Sequence, residues 1–227
     1  MRGIARLGLV LCLPAASQVP PGFVKIFNGR DLAGWHISQT NHHGNTKAWT
    51  VADGVLMGTQ DPPRNGGILL TDRRYRDFEI SLEVMPDFGC DGGVFLRSSE
   101  EGHAYQVMID YLDKGSVGGI TGEKLRPLGF DFDKGAVRVR ERNWRQFWKK
   151  DGWNLLRARI EGEPATIQVW LNGNKVLDWT DFANHLPNQA RDGMIAVQVH
   201  GSGENWSRWK VGGYHRFRNI AVRELRQ

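Results

Sequence analysis

The stretch that decides the fold is Ile195-Ala196-Val197-Gln198-Val199-His200-Gly201, and a second run, RFRNIAVREL, follows at 216–225. Apolar residues occupy alternate positions in both runs, which is the period of a half-buried β-strand. The other face of the first run carries Gln198 and His200. Such a polar pair is either ordinary hydrated surface or the floor of a binding groove, and the rest of the chain must decide between the two.

Short alternating runs recur along the chain and are separated by Gly, Pro, Asn and Asp. They lie at 78–84, 94–96, 105–109, 156–160, 167–171 and 175–177. Asn172-Gly173, between the last two runs, is typical of a β-hairpin turn. No segment keeps a helical period for three turns, and short helices are expected only at 180–185 and 144–149. This pattern predicts an all-β sandwich or barrel, as one domain over residues 22–225.

The composition limits the classes of function. The chain has 227 residues, of which 40% are apolar, so it can bury a sizeable core. The formal charge of +5 is modest, and no nucleic-acid-binding module accompanies it, so no nucleic-acid partner is predicted. Oligomeric state is left open.

The first residues resemble an export signal. Arg2 and Arg6 precede the apolar run 7–13, and small residues follow at 15–17. We therefore expect a signal peptide over 1–17 and a secreted or periplasmic protein. The run is too short to span a membrane. Cys12 leaves a lipoprotein anchor as the alternative.

Beyond the signal segment the only cysteine is Cys90. The mature chain is therefore expected to lack an internal disulfide. A buried thiol is the expected role for this residue rather than a nucleophile.

A family resemblance extends over nearly all of the mature chain. The stretches that carry it, in order, are FNGRDLAGW (27–35), WTVADGVL (49–56), YRDFEI (75–80), DGGVFLR (91–97) and YQVMID (105–110), with the two C-terminal runs quoted above. Together they resemble the 3-keto-disaccharide hydrolase family. The resemblance implies a concanavalin A-like jelly-roll β-sandwich of two antiparallel sheets. It also implies cleavage of glycosides whose sugar carries a ketone at C3, with a carbohydrate as the partner, often in exported bacterial proteins.

The chain departs from the family pattern at Gln106, where the family has Glu. If that Glu is catalytic, Gln106 cannot replace it, because an amide does not titrate. A non-catalytic carbohydrate-binding module on the same sandwich is therefore the alternative to an enzyme.

Strand alternation places five polar side chains on one sheet face, which in a jelly roll is expected to be the concave, ligand-binding face. They are Arg97, Gln106, Asp110, Gln198 and His200.

A ketone at C3 acidifies the proton at C2, so a base there generates an enolate that expels the C1 substituent. His200 is the predicted base, Arg97 the oxyanion partner, and Asp110 the residue that orients His200, acts as the acid or helps hold a cation. Gln106 and Gln198 are predicted to bind sugar hydroxyls.

Two long loops, 123–153 and 201–214, are rich in aromatic residues, and the chain has nine tryptophans in all. Flat aromatic faces suit the apolar C–H faces of sugar rings. The predicted substrate-binding residues of these loops are Glu123, Trp144, Trp148 and Trp206.

A divalent cation remains an option, with oxygen and imidazole donors at Asp91, Asp110, Glu123 and His200. Their spacing matches no ligand motif, so no metal site is predicted. The pair His42-His43 lies in a Gly/Asn-rich loop and is expected to be solvated. Glu79 and Glu83 lack the spacing of a retaining glucanase pair, so that route is not predicted.

Overall fold

The computed structural model describes residues 19–40, 42–125, 138–202 and 209–225, and the regular secondary structure in these residues is nearly all β. Two helical turns are present in this part, α1 (Trp144–Phe147) and a 3-10 turn at Pro187–Gln189, and neither is long or apolar enough to cross a bilayer. The strands are β1 Val24–Lys25, β2 Trp35–Ile37, β3 Trp49–Ala52, β4 Val55–Gly58, β5 Gly67–Tyr75, β6 Phe78–Val84, β7 Gly92–Ser98, β8 Ala104–Ile109, β9 Val117–Glu123, β10 Arg138–Val139, β11 Asn154–Glu161, β12 Thr166–Leu171, β13 Asn174–Thr180, β14 Gly193–Val199 and β15 His215–Glu224.

The strands form two antiparallel sheets. One has the order β13-β12-β11-β6-β15-β4-β3, with β1 also paired to β15, and the other has the order β10-β9-β8-β7-β14-β5-β2. Strands distant in sequence are neighbours in both sheets, since β14 lies between β5 and β7, and β15 between β4 and β6. This is the jelly-roll sandwich of two antiparallel sheets that the sequence predicts.

A single large apolar core lies between the sheets. The alternating run of β6 contributes Phe78, Ile80 and Leu82, and β14 contributes Val197 and Val199, all fully buried. Each such side chain contributes roughly 1.5–3 kcal/mol by leaving water. The predicted strand runs are therefore confirmed, and so is the hairpin turn, because Asn172 and Gly173 both have positive φ (49° and 84°) between β12 and β13.

A smaller apolar cluster lies on the other face of the seven-stranded sheet, which points away from the core and is called the site face below. The cluster comprises Ile68, Leu70, Phe95, Ala104, Met194 and Ala196. Because these side chains alternate with core residues along their strands, the site face is covered and partly apolar rather than fully hydrated.

The outer face of the eight-stranded sheet carries an arginine–glutamate ladder. Glu79 pairs with Arg157 and Arg223, and Glu83 pairs with Arg218. Both carboxylates lie on β6 and form ion pairs with arginines of neighbouring strands. They are on the opposite side of the sandwich from the site face, so they do not contribute a carboxylate pair to it.

The two predicted helices have different outcomes. The segment 144–149 contains α1, which is shorter than expected. The prediction at 180–185 is wrong, because β13 extends to Thr180 and Asp181 then organises a turn. The Asp181 carboxylate accepts hydrogen bonds from the Tyr105 hydroxyl at 2.7 Å and from the Phe182 amide at 2.8 Å. These bonds satisfy the local polar groups without a helix.

Candidate active site

Two glutamines form the floor of the candidate site, on strands β8 and β14. Tyr105, Val107 and Ile109 lie in the core, so Gln106 faces the site face, as strand alternation predicts. The Gln106 side-chain amide donates to Gln198 Oε1 at 2.6 Å. Gly93 of β7 lies between the two strands, and a Cβ there would stand 2.4 Å from Gln106 Nε2. The glutamine pair therefore requires glycine at this position.

Two loop histidines and one glutamate meet beside this floor. Glu123 Oε2 lies 3.0 Å from His42 Nε2 and 3.1 Å from His43 Nε2. The ring of His43 is 4.9 Å, centroid to centroid, from the ring of His200, and it packs edge-on against Phe95 at 6.5 Å. These four residues (His42, His43, Glu123 and His200) are the histidine–glutamate cluster.

Close backbone packing of three loops positions the cluster. A Cβ on Gly66 would lie only 2.3 Å from the Gly201 nitrogen and 2.4 Å from the Val199 oxygen. Thr46 N–H donates to the Gly66 carbonyl at 2.8 Å, which attaches the histidine loop to the same point. The loop that carries His42 and His43 and the end of β14 are thus held together by one glycine.

The side-chain amide of Gln60 holds the backbone of His200 in place. Its amide nitrogen donates to the His200 carbonyl at 2.7 Å, and its amide oxygen accepts from Arg64 N–H at 2.8 Å. The His200 N–H reaches the Asp91 carbonyl at 3.3 Å, which continues the pairing of β14 with β7 by one residue beyond the strand. His200 is therefore held by its main chain on both sides.

The electrostatics of the cluster keep its acid charged and His200 neutral. Burial alone would raise the pKa of Glu123, but hydrogen bonds from His42 and His43 outweigh it and lower this pKa to about 2. Burial, with a contribution from His43, lowers the pKa of His200 to about 4. The Nδ1 of His200 bonds to the Gly201 carbonyl, so Nδ1 carries the hydrogen and Nε2 carries the lone pair. Nε2 is therefore the acceptor atom of this ring, and the low pKa keeps the imidazole neutral near pH 7.

The prediction that Arg97 shares a site with His200 is wrong. Leu96 and Arg97 of β7 together oppose the single residue Ile195 of β14, and Arg97 has φ 53°, so the strand bulges there. The extra residue breaks the alternation of side chains along β7. His200 lies beside Asp91, and Arg97 is six residues further along the chain, which is roughly 20 Å of extended strand.

The guanidinium of Arg97 serves the structure. It donates to Asp77 Oδ1 at 2.8 Å, to the Arg76 carbonyl at 2.6 Å and to the Gly162 carbonyl at 3.1 Å. These bonds join the end of β7 to the turns after β5 and β11. A fully engaged and buried guanidinium is not available to a substrate oxyanion.

Asp110 stabilises its own turn. Its carboxylate accepts from Leu112 N–H at 3.2 Å, and its N–H donates to the Ser116 carbonyl at 2.9 Å. It lines a small cavity with Met108 and Lys114. Its predicted roles, which are to orient His200, to act as the acid or to help hold a cation, stay predictions.

The predicted sugar-binding aromatic residues have different outcomes in the structure. Trp144 is in the core with 4% of its surface exposed, so its prediction is wrong. Trp148 is partly buried and stacks on Tyr111 at 5.3 Å, and its role in sugar binding stays a prediction. Trp206 lies outside the described residues. Glu123 is in the cluster, as a partner of histidines.

Cys90 is a buried thiol, as predicted. Its pKa is raised to about 12, chiefly by burial, so it does not form a thiolate nucleophile near neutral pH.

His42 and His43 are the candidate site residues that sequence reasoning missed, since both were expected to be solvated. The signal available in the sequence was the unbroken His-His pair itself, next to Gly44 and followed by Gly66-Gly67. Among the described residues, His42, His43 and Glu123 are the one group of at least three His, Cys, Asp or Glu residues whose donor atoms all lie within 4.8 Å of one another.

Solved structures share the fold at low sequence identity. A candidate glycosyl hydrolase from Parabacteroides distasonis is 17% identical, with 90% of this chain and 94% of that chain covered and a TM-score of 0.59. The carbohydrate-binding module CBM66 from Bacillus subtilis is 14% identical, with 84% and 96% covered and a TM-score of 0.51. A mutant of the alginate lyase Aly36B bound to alginate trisaccharide is 15% identical, with 90% and 94% covered and a TM-score of 0.51.

No curated protein matches this chain. The family model for the 3-keto-alpha-glucoside-1,2-lyase-like domain matches residues 22–223. This match spans both sheets and all four residues of the histidine–glutamate cluster. The chain belongs to the 3-keto-disaccharide hydrolase family, whose defining unit is this 3-keto-alpha-glucoside-1,2-lyase-like domain.

Proposed function

We propose that this protein is an enzyme that cleaves glycosides of 3-keto sugars at the histidine–glutamate cluster. The observation that carries the proposal is His200, a buried imidazole with its lone pair on Nε2, held at the end of β14 beside His43. Membership in a family described by 3-keto-alpha-glucoside lyase chemistry supports the substrate class.

The proposed reaction begins at C2 of the keto sugar. His200 Nε2 takes the C2 proton, and the electron pair of that C–H bond forms an enolate with the C3 oxygen. The enolate then collapses to re-form the C3 carbonyl, a C1=C2 double bond forms, and the C1–O bond breaks. The departing oxygen leaves with the bond's electrons and takes up a proton. Addition of water across the double bond completes a net hydrolysis.

The glutamine floor supports recognition of hydroxyl groups. Gln198 is fully buried on the site face, two residues before His200, and its Nε2 has no hydrogen-bond partner among the described residues. A buried donor without a partner costs about 1–3 kcal/mol. A substrate hydroxyl that displaces the groups covering Gln198 and accepts from its Nε2 would recover this energy and bring the sugar ring next to His200.

The enolate oxygen needs an electropositive partner. Arg97 does not take that role in this proposal, because its guanidinium is bonded to Asp77 and to two backbone carbonyls. Among the described residues, His43 lies beside His200, and His42 shares Glu123 with His43. Their imidazole N–H groups, or a cation bound there, supply the partner in this proposal.

Incubation with a 3-keto disaccharide, and separately with its unoxidised parent, tests the proposal. We expect cleavage of the keto form alone, because only the ketone acidifies the C2 proton. His200→Ala should lower turnover by roughly 100-fold or more, as expected for loss of a general base. His36→Ala, which changes an exposed histidine on edge strand β2, is the matched control.

Two results would overturn the proposal: no cleavage of the keto form, or turnover by His200→Ala equal to that of the wild type. Binding of the sugar without cleavage would instead support a carbohydrate-binding module. That second candidate is favoured by Gln106, which has a non-titrating amide where the family has Glu and whose side chain bonds to Gln198.

We also propose that the protein acts outside the cytoplasm, on the basis of its signal-like first residues. Expression of the full chain with fractionation should place the processed protein in the periplasm or medium. Retention of an unprocessed chain in the cytoplasm would contradict the proposal.

A further inference from the structure

Two imidazoles meet one carboxylate in the candidate site. The Nε2 atoms of both His42 and His43 approach the same oxygen of Glu123, at 3.0 and 3.1 Å. The Glu123 and His43 side chains are only 14% and 11% exposed, whereas His42 is 29% exposed. The donor atoms therefore converge at a point that is sheltered by protein on one side and open to solvent on the other.

We propose that His42, His43 and Glu123 bind a divalent transition-metal ion. Two histidines and one carboxylate with an open position form the donor set of catalytic zinc sites and of other first-row metal sites. Metal–nitrogen and metal–oxygen bonds of about 2.0–2.2 Å place neighbouring donors roughly 3.0–3.5 Å apart around one ion. The two Nε2–Oε2 separations, 3.0 and 3.1 Å, already lie at the lower end of this range.

The chemistry of the donors selects the class of metal. Imidazole nitrogen suits Zn²⁺, Co²⁺ and their neighbours in the series, whereas Ca²⁺ and Mg²⁺ require mostly oxygen ligands. Two of the three donors here are imidazoles, so the site disfavours the hard ions. A bare His-Glu-His hydrogen-bonded group is the competing interpretation, and it predicts no affinity for any of these metals.

The loop geometry restrains the proposed site before any metal binds. Asn45 N–H donates to Asn65 Oδ1 at 3.1 Å, and a Cβ on Gly44 would lie 2.2 Å from that same oxygen. Gly201 packs under the other end of the loop, where a Cβ would lie 2.8 Å from the His43 carbonyl. The histidine loop is thus fixed against two neighbouring loops, and little conformational entropy remains to be lost on metal binding.

A metal at this position would act on the proposed reaction as the electropositive partner of the C3 oxygen. This role rests on the proposed function, because it needs a keto sugar seated beside His200. Metal binding itself does not, and it can be measured without any sugar.

The test is a titration of tag-free, chelator-treated full-length protein with Co²⁺, followed by visible absorption, and with Zn²⁺, followed by calorimetry. We expect one ion per chain, with Co²⁺ bands of a nitrogen- and oxygen-ligated site. Mg²⁺ added in the same way should bind far more weakly. Cleavage of the keto sugar is measured separately, so a failed reaction and a failed metal site give different results.

Three variants make the titration specific. Glu123→Gln keeps the shape of the side chain and should weaken Co²⁺ binding by at least about tenfold, and His43→Ala should do so too. His36→Ala is the matched control, because His36 also lies between two carboxylates, Asp72 and Glu100, and should leave stoichiometry and affinity unchanged. Circular dichroism before each titration confirms the fold.

Wild-type protein that binds neither Co²⁺ nor Zn²⁺ at one ion per chain would overturn the proposal. So would Glu123→Gln and His43→Ala variants that are folded and bind as tightly as the wild type, or a His36→Ala variant that loses the ion.

Discussion

Arg97 is the residue at which sequence reasoning and the structure disagree most. Its neighbours Val94 and Leu96 are correctly placed in the core, so alternation alone sends Arg97 to the site face. The bulge opposite Ile195 inserts one extra residue and reverses that outcome. Nothing in the run VFLR marks a bulge, because no glycine stands at the position with positive φ.

Arg97→Ala should destabilise the fold without removing the chemistry. The change leaves the Asp77 carboxylate, which is 9% exposed, without its buried cation. Breaking such a pair costs about 3–5 kcal/mol. Arg74→Ala, which breaks the exposed Arg74–Asp192 pair, should cost less than about 1 kcal/mol. Urea unfolding measures both values.

The activity of the Arg97→Ala variant is measured on its folded fraction, well below its melting temperature. We expect kcat/KM on the keto sugar to match the wild type. A large fall in kcat with unchanged stability would return Arg97 to the reaction.

The contact of His42 and His43 with their partner could not be predicted from the sequence around them. Their partner Glu123 is about 80 positions away, at the end of β9. Strand periodicity carries no information about where a loop folds, and the contact depends on which glycines allow backbones to touch. By contrast, His200 and Gln198 follow from the alternation of β14, and the structure places both on the predicted face.

At the scale of elements, the site depends on three loops that meet at Gly66. Its position excludes any side chain, because the atoms around it belong to the backbone of residues 199–201. Backbone atoms do not move aside as a flexible side chain does, so a larger residue must displace either the end of β14 or the histidine loop.

Gly66→Ala should therefore impair stability and activity together. Overpacking of this kind costs on the order of 1–3 kcal/mol, and displacement of His200 should reduce turnover by more than tenfold. Gly152→Ala is the control, since its nearest neighbour would lie 3.6 Å away in ordinary contact. Thermal unfolding and turnover of both variants decide the matter, and a Gly66→Ala enzyme with wild-type values would refute the three-loop arrangement.

The strands themselves were the most predictable elements. Apolar residues at every second position of β6, β11 and β12 lie against one core. The same alternation is visible in the sequence, because a strand that buries one face needs an apolar side chain at every second residue. The segment at 180–185 was not predictable in this way. Its turn depends on Tyr105 donating to Asp181 across 76 residues of chain, which no local propensity encodes.

At the scale of the whole molecule, a buried histidine links stability to pH. His215 begins β15, is fully buried and stacks on Trp209 at 5.6 Å. Burial outweighs the opposing effects of the Cys90 backbone and of Asp87 and lowers the pKa of His215 from 6.5 to about 4. As pH falls below 6.5, the unfolded chain takes up this proton before the folded protein does, so stability falls.

This residue should therefore cost the protein up to about 3 kcal/mol of unfolding free energy between pH 6.5 and pH 4. His215→Phe keeps an aromatic ring and should remove that part of the acid sensitivity. Urea unfolding at pH 7 and pH 4.5 measures how much the unfolding free energy of the wild type and of the His215→Phe variant changes with pH. Equal pH dependence in the two proteins would contradict a neutral His215 in the folded state.

A crystal structure of the His200→Ala variant soaked with a 3-keto disaccharide tests the central claim most directly. We expect the keto ring beside the histidine–glutamate cluster, with its C2 carbon facing the position vacated by the imidazole and its C3 oxygen toward His42 and His43. A sugar bound instead at the opposite end of β7 beside Arg97, or a ring whose C2 faces away from position 200, would contradict the account.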